Sequence, residues 1–265
     1  MKFAVSGKGG VGKTFVSATL ARLFAREGYN VIAVDADPNI NLSISLGISR
    51  EISEKIIPIS DNIELVKERT GSEPGKSFGT IFKMTPRVDD IIERFGVAGP
   101  DGVKLLVMGT VKAGDSGCMC PANAFLRVLL QHLLIQRRDL VIMDMEAGLE
   151  HLGRGTARRF DSMLVVLDPT IKSIDTLKRV VSLAEQIDIS EVLAIGNKIE
   201  DEKGRVLIRE AAETIGIPVA CYIPYDPAIS SADLLGKAPL EYDEHSPAIN
   251  VLKSLKDFLR QRYGF

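Results

Sequence analysis

Apolar positions in this chain follow two alternating periods. Short, nearly continuous apolar runs occur at Lys2–Ser6, Asn30–Val34, Lys104–Met108, Leu140–Asp144, Ser162–Leu167, Val192–Asn197 and Val219–Ile223. Runs of this kind fit parallel strands that are buried on both faces. Between them the apolar residues return at helical spacing: Val16, Leu20, Leu23 and Phe24 first, then helices near Ala122–Gln136, Ser173–Gln186, Arg205–Ile215 and Ala248–Arg262. Residues Asp61–Glu68 read as one further short strand. The stretch 71–102 is richer in Gly, Pro and charge, with a helix at Val88–Phe95, and has the character of an insertion or a lid. Strand and helix alternate from end to end. The expectation is therefore a single α/β domain over 1–265, built on a mostly parallel, doubly wound sheet.

The junction of the first strand with the first helix carries the strongest chemical signal. Gly7-Lys8-Gly9-Gly10-Val11-Gly12-Lys13-Thr14 fits the G-x-x-x-x-G-K-[ST] phosphate-binding loop, with a strand before it and an apolar-periodic helix after it. Glycines let backbone N–H groups turn inward around phosphate oxygens, and the helix N-terminus adds partial positive charge. Lys13 is placed to reach the β- and γ-phosphates, and the Thr14 hydroxyl to bind Mg²⁺. A phosphate-loop (P-loop) nucleotide-binding protein follows.

Other strand ends supply the partners that such a loop needs. Asp144 closes the run Leu140–Met143, where a Mg²⁺-organising carboxylate sits in phosphate-loop enzymes. Asp35 and Asp37 follow another strand at a spacing that tends to point both the same way. One can hold a water of the metal shell while the other orients an attacking water; the plainer alternative is solvated or helix-capping acids. Gly148 lies where a backbone N–H could sense a γ-phosphate. Asn197 and Lys198 follow a strand, and the Asn197 amide can read a purine. The fourth position of that string is Glu200, which leaves GTP open.

Bulk properties narrow the partners. The chain has 265 residues, 45% hydrophobic and 26% charged, which is enough for a substantial core. A net charge of −2 gives no electrostatic support for a nucleic-acid or membrane partner. No apolar run approaches a membrane span, and Met1-Lys2-Phe3 enters a strand at once, so no leader is expected. Three cysteines do not make a disulfide framework. The expected location is cytoplasmic.

Two of those cysteines, Cys118 and Cys120, share a loop with Gly114 and Gly117 just before a helix. Helix N-termini favour thiolates, which bind soft or borderline metals, and side chains two apart on an extended segment share a face. Two thiolates do not complete a tetrahedral site; a nearby twofold axis would supply two more. Buried structural cysteines and a redox pair are the alternatives, the second opposed by disulfide geometry. Ligand type alone does not choose among Ni²⁺, Zn²⁺ and an iron-sulfur cluster. Cys221 lies inside an apolar strand and reads as core.

The string Gly7–Thr14, with its second lysine Lys8, resembles the deviant phosphate-loop family that includes the nitrogenase iron protein and the Min-type and Par-type ATPases. The resemblance implies a homodimer in which Lys8 reaches the partner's nucleotide, so that occupancy and dimerisation are linked. It also implies ATP as the nucleotide, water activation at Asp37, a metal-shell role for Asp35, and base contacts at the strand end Pro224-Tyr225-Asp226. The segments Asp144–Thr156 and Lys104–Gly109, together with the Cys-x-Cys loop, resemble the carbon monoxide dehydrogenase accessory ATPases (CooC-type). That likeness implies an ATPase that carries nickel on Cys118 and Cys120 to an apo nickel-iron-sulfur enzyme, the carbon monoxide dehydrogenase or the related acetyl-CoA synthase. Glu150 and His151 would relay metal or touch the client, or be ordinary surface. Two other readings compete. One is a reductase with an interfacial iron-sulfur cluster; the other is a Min/Par-type positioning ATPase whose tail Leu252–Phe265 lies on a membrane.

Overall fold

A computed structural model of the protein describes residues 1–37, 39–72, 82–109, 121–135, 139–146 and 159–264. Each apolar run forms a strand, and the intervening periodic segments form helices. The first half of the chain supplies β1 (Lys2–Gly7), α1 (Lys13–Arg26), β2 (Val31–Asp35), α2 (Leu42–Leu46), α3 (Arg50–Ser53), α4 (Ile63–Thr70), α5 (Ile91–Phe95), β3 (Val97–Ala98), β4 (Lys104–Val107) and α6 (Pro121–Ile135). The second half supplies β5 (Leu140–Asp144), β6 (Ser162–Leu167), α7 (Ile171–Gln186), β7 (Val192–Ile199), α8 (Glu202–Ile215), β8 (Val219–Pro224), α9 (Pro227–Leu234), α10 (Pro239–Tyr242) and α11 (Pro247–Tyr263). The strands form one sheet in the order β3-β4-β2-β5-β1-β6-β7-β8. All neighbours pair in parallel except β3, which runs antiparallel to β4 at the edge.

Alternation along the strands divides the core in two, because successive side chains point to opposite faces. Phe3 and Val5 pack with Phe15, Leu20 and Phe24 of α1 and with Leu252, Leu255 and Leu259 of α11. Ala4, Met143 and Val165 face the other side, with Phe125 and Leu129 of α6 and Leu177 and Val180 of α7. Strands buried on both faces cannot alternate apolar with polar residues, which is why they read as continuous runs.

One expected element is corrected. Asp61–Glu68 is not a strand: a 3-10 turn at Ile59–Asp61 leads into α4. The Asn62 side chain accepts a hydrogen bond from the Leu65 N–H and starts the helix. The buried residues Leu65, Val66, Arg69 and Thr70 then recur at helical spacing. From 82 to 102 the chain is built into the sheet edge, with Val88, Ile91 and Ile92 buried.

The terminal helix α11 spends its apolar face on this core. Its cations are paired as well: Lys256 and Arg260 with Glu27, and Arg262 with Glu191. A membrane-lying tail therefore loses the surface it would need. Among the described residues, no helix is long and apolar enough to cross a membrane.

Candidate nucleotide site

The phosphate loop leaves β1 at the carboxyl edge of the sheet and ends where α1 begins at Lys13. Two of its glycines are required by their surroundings. Gly7 has φ +148°, and a Cβ there would stand 2.4 Å from the Val166 carbonyl oxygen. Gly12 has φ +99°, and a Cβ would stand 2.3 Å from the Asn197 amide nitrogen. Gly9, Gly10, Gly12, Lys13 and Thr14 line a cavity of about 550 Å³, while Val11 is buried behind it.

Register places the acids. Asp35 and Asp144 are direct partners across β2 and β5, so their side chains leave the sheet on the same face. The Thr14 hydroxyl donates to Asp144 at 2.6 Å, and the Ser17 hydroxyl donates to the other oxygen of Asp144 at 3.3 Å. Asp35 accepts the backbone N–H of Asp37 at 3.2 Å and of Leu42 at 3.0 Å, so it fixes the turn that carries Asp37. Burial pushes the Asp35 carboxyl up to about 7, opposed by those two N–H groups and reinforced by the Asp144 charge. Burial likewise pushes Asp144 up to about 6, with the Thr14 bond pulling the other way. Asp37 accepts the Asn39 N–H at 2.8 Å.

Lys13 holds the cation side. Its ammonium lies 3.7 Å from the Asp37 carboxylate and donates to the Lys8 carbonyl at 3.4 Å. Lys8 is half-buried. Three carboxylates and a hydroxyl converge beside the Lys13 ammonium, with two of the acids pushed up by burial, which leaves net negative charge for a cation to offset. That donor set is made of hard oxygens, which suits Mg²⁺ better than a soft metal.

The residues expected at a base are both turned into the protein. The Asn197 amide, 5% exposed, donates to the Val11 carbonyl at 2.7 Å. Pro224 ends β8, but the Asp226 carboxylate points into the fold, where it accepts the Ala228 N–H at 3.0 Å and the Ala248 N–H at 3.1 Å. It caps α9 and orders the start of α11. The cavity is lined beyond that point by Ile229, Ser230 and Asp233 of α9 and by Lys237.

Gly148, Glu150, His151, Cys118 and Cys120 lie outside the described residues. Two further residues, Ser17 and Lys198, bond to the acids and the loop of this site. Ser17 sits one helical turn after Thr14 and so shares its face, a spacing that flags it. Lys198 donates to the Gly10 carbonyl at 2.8 Å, and only its adjacency to Asn197 pointed to it.

Comparison with known proteins agrees with this geometry. The family model described as the CobQ/CobB/MinD/ParA nucleotide binding domain matches residues 2–240. An uncharacterised ATP-binding protein of Methanocaldococcus jannaschii is 44% identical over 92% of this chain and 92% of its own length. The carbon monoxide dehydrogenase accessory protein CooC of Rhodospirillum rubrum is 42% identical over 89% of this chain and 88% of its own. Among solved structures, the septum site-determining protein MinD of Pyrococcus horikoshii, complexed with Mg-ADP, superposes with a TM-score of 0.68 at 20% identity, covering 100% of this chain and 98% of that one. The chain thus belongs to the CobQ/CobB/MinD/ParA nucleotide-binding family, as a P-loop ATPase of the CooC type.

Proposed function

We propose that this protein is a homodimeric, ATP-driven nickel carrier that serves an apo nickel-iron-sulfur enzyme, a carbon monoxide dehydrogenase or acetyl-CoA synthase. The observation that carries this reading is the 42% identity to the CooC accessory protein, which spans nearly the whole of both chains. The order of the cysteine pair along the sequence adds support. The chain leaves β4 beside Asp35, where the Met108 N–H donates to the Asp35 carbonyl at 2.9 Å, and Cys120 directly precedes α6. In sequence, Cys118 and Cys120 fall between β4 and α6, and a helix N-terminus favours thiolates.

The chemistry assigned to the chain's own residues is as follows. Phosphate oxygens of ATP take over the Lys13 ammonium, releasing Asp37 from its ion pair. The freed carboxylate orients a water whose oxygen bonds to the γ-phosphorus as the bond to the β-γ bridging oxygen breaks; that electron pair leaves with ADP, and the water's proton passes to a phosphate oxygen. Thr14 and Asp144 would hold Mg²⁺, which would supply positive charge to offset that of the phosphates. Lys8 reaches the nucleotide of the second copy, so ATP favours the closed dimer and hydrolysis loosens it. Nucleotide biases nickel affinity only by the difference in its own affinity for the two dimer states.

Anaerobic titration of the reduced protein with Ni²⁺, with and without ATP, tests the reading by thiolate-to-metal absorption and particle mass together. One metal per two chains is expected, and loss of the absorption in Cys118→Ala and Cys120→Ala. Full nickel uptake by both variants would sink the site assignment. A brown, iron-containing protein after anaerobic purification would turn the reading to the reductase.

A further inference from the structure

Arg22 of α1 is 3% exposed, and its guanidinium meets three segments that are far apart in sequence. Its Nε donates to the Asp101 carboxylate at 2.6 Å. Its Nη1 donates both to the Glu241 carboxylate at 2.7 Å and to the Leu46 carbonyl at 3.1 Å. Asp101 belongs to the turn Pro100–Gly102 before β4, where it also pairs with Arg26 at 3.3 Å. Glu241 lies in α10, and Leu46 is the last residue of α2. A buried cation needs an anion to offset its desolvation, and Asp101 alone meets that need. The second acid and the carbonyl are extra, and the planar fork of an arginine can hold them from separate elements at once.

Both of those elements wall the nucleotide cavity. Asn41, Ile44 and Ser45, before and within α2, line one part of it, and Pro239, the first residue of α10, lines another. The other end of α2 is tied as well. The Leu42 N–H donates at 3.0 Å to Asp35, the same carboxylate that fixes the turn carrying Asp37. A five-residue helix is thus held by Asp35 at its first N–H and by Arg22 at its last carbonyl. Gly47 ends it with φ +91°, and a Cβ there would stand 2.6 Å from Glu241 Oε1 and 3.1 Å from Arg22 Nη1. The helix end is built around the ion pair, since any side chain at position 47 would crowd it.

We propose that Arg22 is a positioning residue for nucleotide: it joins the α2 and α10 walls of the cavity through Leu46 and Glu241 and holds them at the spacing that Mg-nucleotide needs. The proposal rests on the nucleotide reading of the cavity and extends it to a residue that lies behind the walls.

The test is Mg-ADP binding by calorimetry on the full chain, well below the melting temperature of every variant, with nucleotide-free melting in parallel. Under those conditions a strut that only stabilises the fold leaves the dissociation constant unchanged. Glu241→Gln removes one charge from a side chain that is 44% exposed, so it perturbs the fold little. Arg22→Met keeps the apolar stem without the cation. Mg-ADP binding is expected to weaken about fivefold in the first and about tenfold in the second. The double variant should bind no more weakly than Arg22→Met, because both residues act through one contact. Asp101→Asn loosens Arg22 and Arg26 from the edge turn without touching either wall; it lowers the melting temperature and leaves binding within twofold of the parent. Binding within twofold in Glu241→Gln would overturn the proposal, and it decides the matter even if Arg22→Met does not fold. Additive losses in the double variant would overturn it too, as would an equal loss of affinity in Asp101→Asn, which would make the cluster a strut of the fold. Absence of Mg-ADP binding by the unsubstituted chain would overturn the nucleotide reading itself, and the proposal with it.

Discussion

Asp144→Asn is expected to raise the melting temperature of the nucleotide-free protein at pH 7.5 while lowering ATP turnover by about 10²–10³-fold. The two effects have one origin. Asp35 and Asp144 meet in register on adjacent strands, almost wholly buried. Burial pushes their carboxyls up to about 7 and about 6. In the unfolded chain both ionise near the ordinary carboxylate value of about 4. Between about pH 4 and 7 the folded protein therefore holds more protons than the unfolded one, and its stability falls as pH rises through that window. The contribution is complete below the unfolded value and gone above the folded ones. An amide at position 144 removes one of the opposed charges. The Thr14 and Ser17 hydroxyls that bond Asp144 can rotate to suit an amide, so the network survives. A gain on the order of 1–2 kcal/mol, or about 3–6 °C, follows at pH 7.5, with little gain near pH 4. Turnover is lost because the carboxylate that makes the apo site unfavourable also faces the Mg-nucleotide charge. Melting curves across pH 4–8 and a phosphate-release assay check both halves. A lower melting temperature for the variant at pH 7.5 would mean that the Asp144 charge stabilises the empty site.

Legibility in the sequence followed periodicity and motif. Strands buried on both faces announce themselves, because no solvated side forces polar residues into the run. The strand starting at Lys2 and the one ending at Asp144 were readable for that reason. The phosphate loop was readable because its glycines answer local geometry, Gly7 against the Val166 carbonyl and Gly12 against the Asn197 amide. The helix Ile63–Thr70 reads as a strand in sequence because Leu65-Val66 looks β-like in a short window, whereas the cap at Asn62 starts a helix. The end of β7 was half legible. Asn197 was marked as a polar residue at a strand end, but the register shift that turns Lys198 toward the same loop is set by pairing with β8, far away in sequence. Non-local pairing leaves no local pattern to read. Asp226 shows the same limit from the other side: a strand-end acid looks alike whether it meets a ligand or a helix.

Asp226→Ala is expected to cost the fold about 2–4 kcal/mol, lowering the melting temperature by roughly 5–12 °C. Its two carboxylate oxygens accept separate backbone N–H groups, Ala228 at the start of α9 and Ala248 at the start of α11. The residue is 8% exposed, so little water is at hand to replace the lost acceptors. The consequences spread along the chain. Helix α11 packs Leu252, Leu255 and Leu259 into the core face built on Phe3 and Val5, and α9 presents Ile229, Ser230 and Asp233 to the nucleotide cavity. Asp226→Asn keeps one acceptor oxygen and should fall about midway. The resemblance placed this residue at the nucleotide base, and the two roles separate experimentally. A cap predicts a large loss of stability with the preference for ATP over GTP unchanged in the surviving folded protein. A base contact predicts a changed preference with the melting temperature within about 1 °C of the parent, since an exposed ligand contact adds little to the empty fold. The geometry favours the cap, because an oxygen already bonded to an N–H at the start of each helix is turned inward, toward the helices it orders and away from a base.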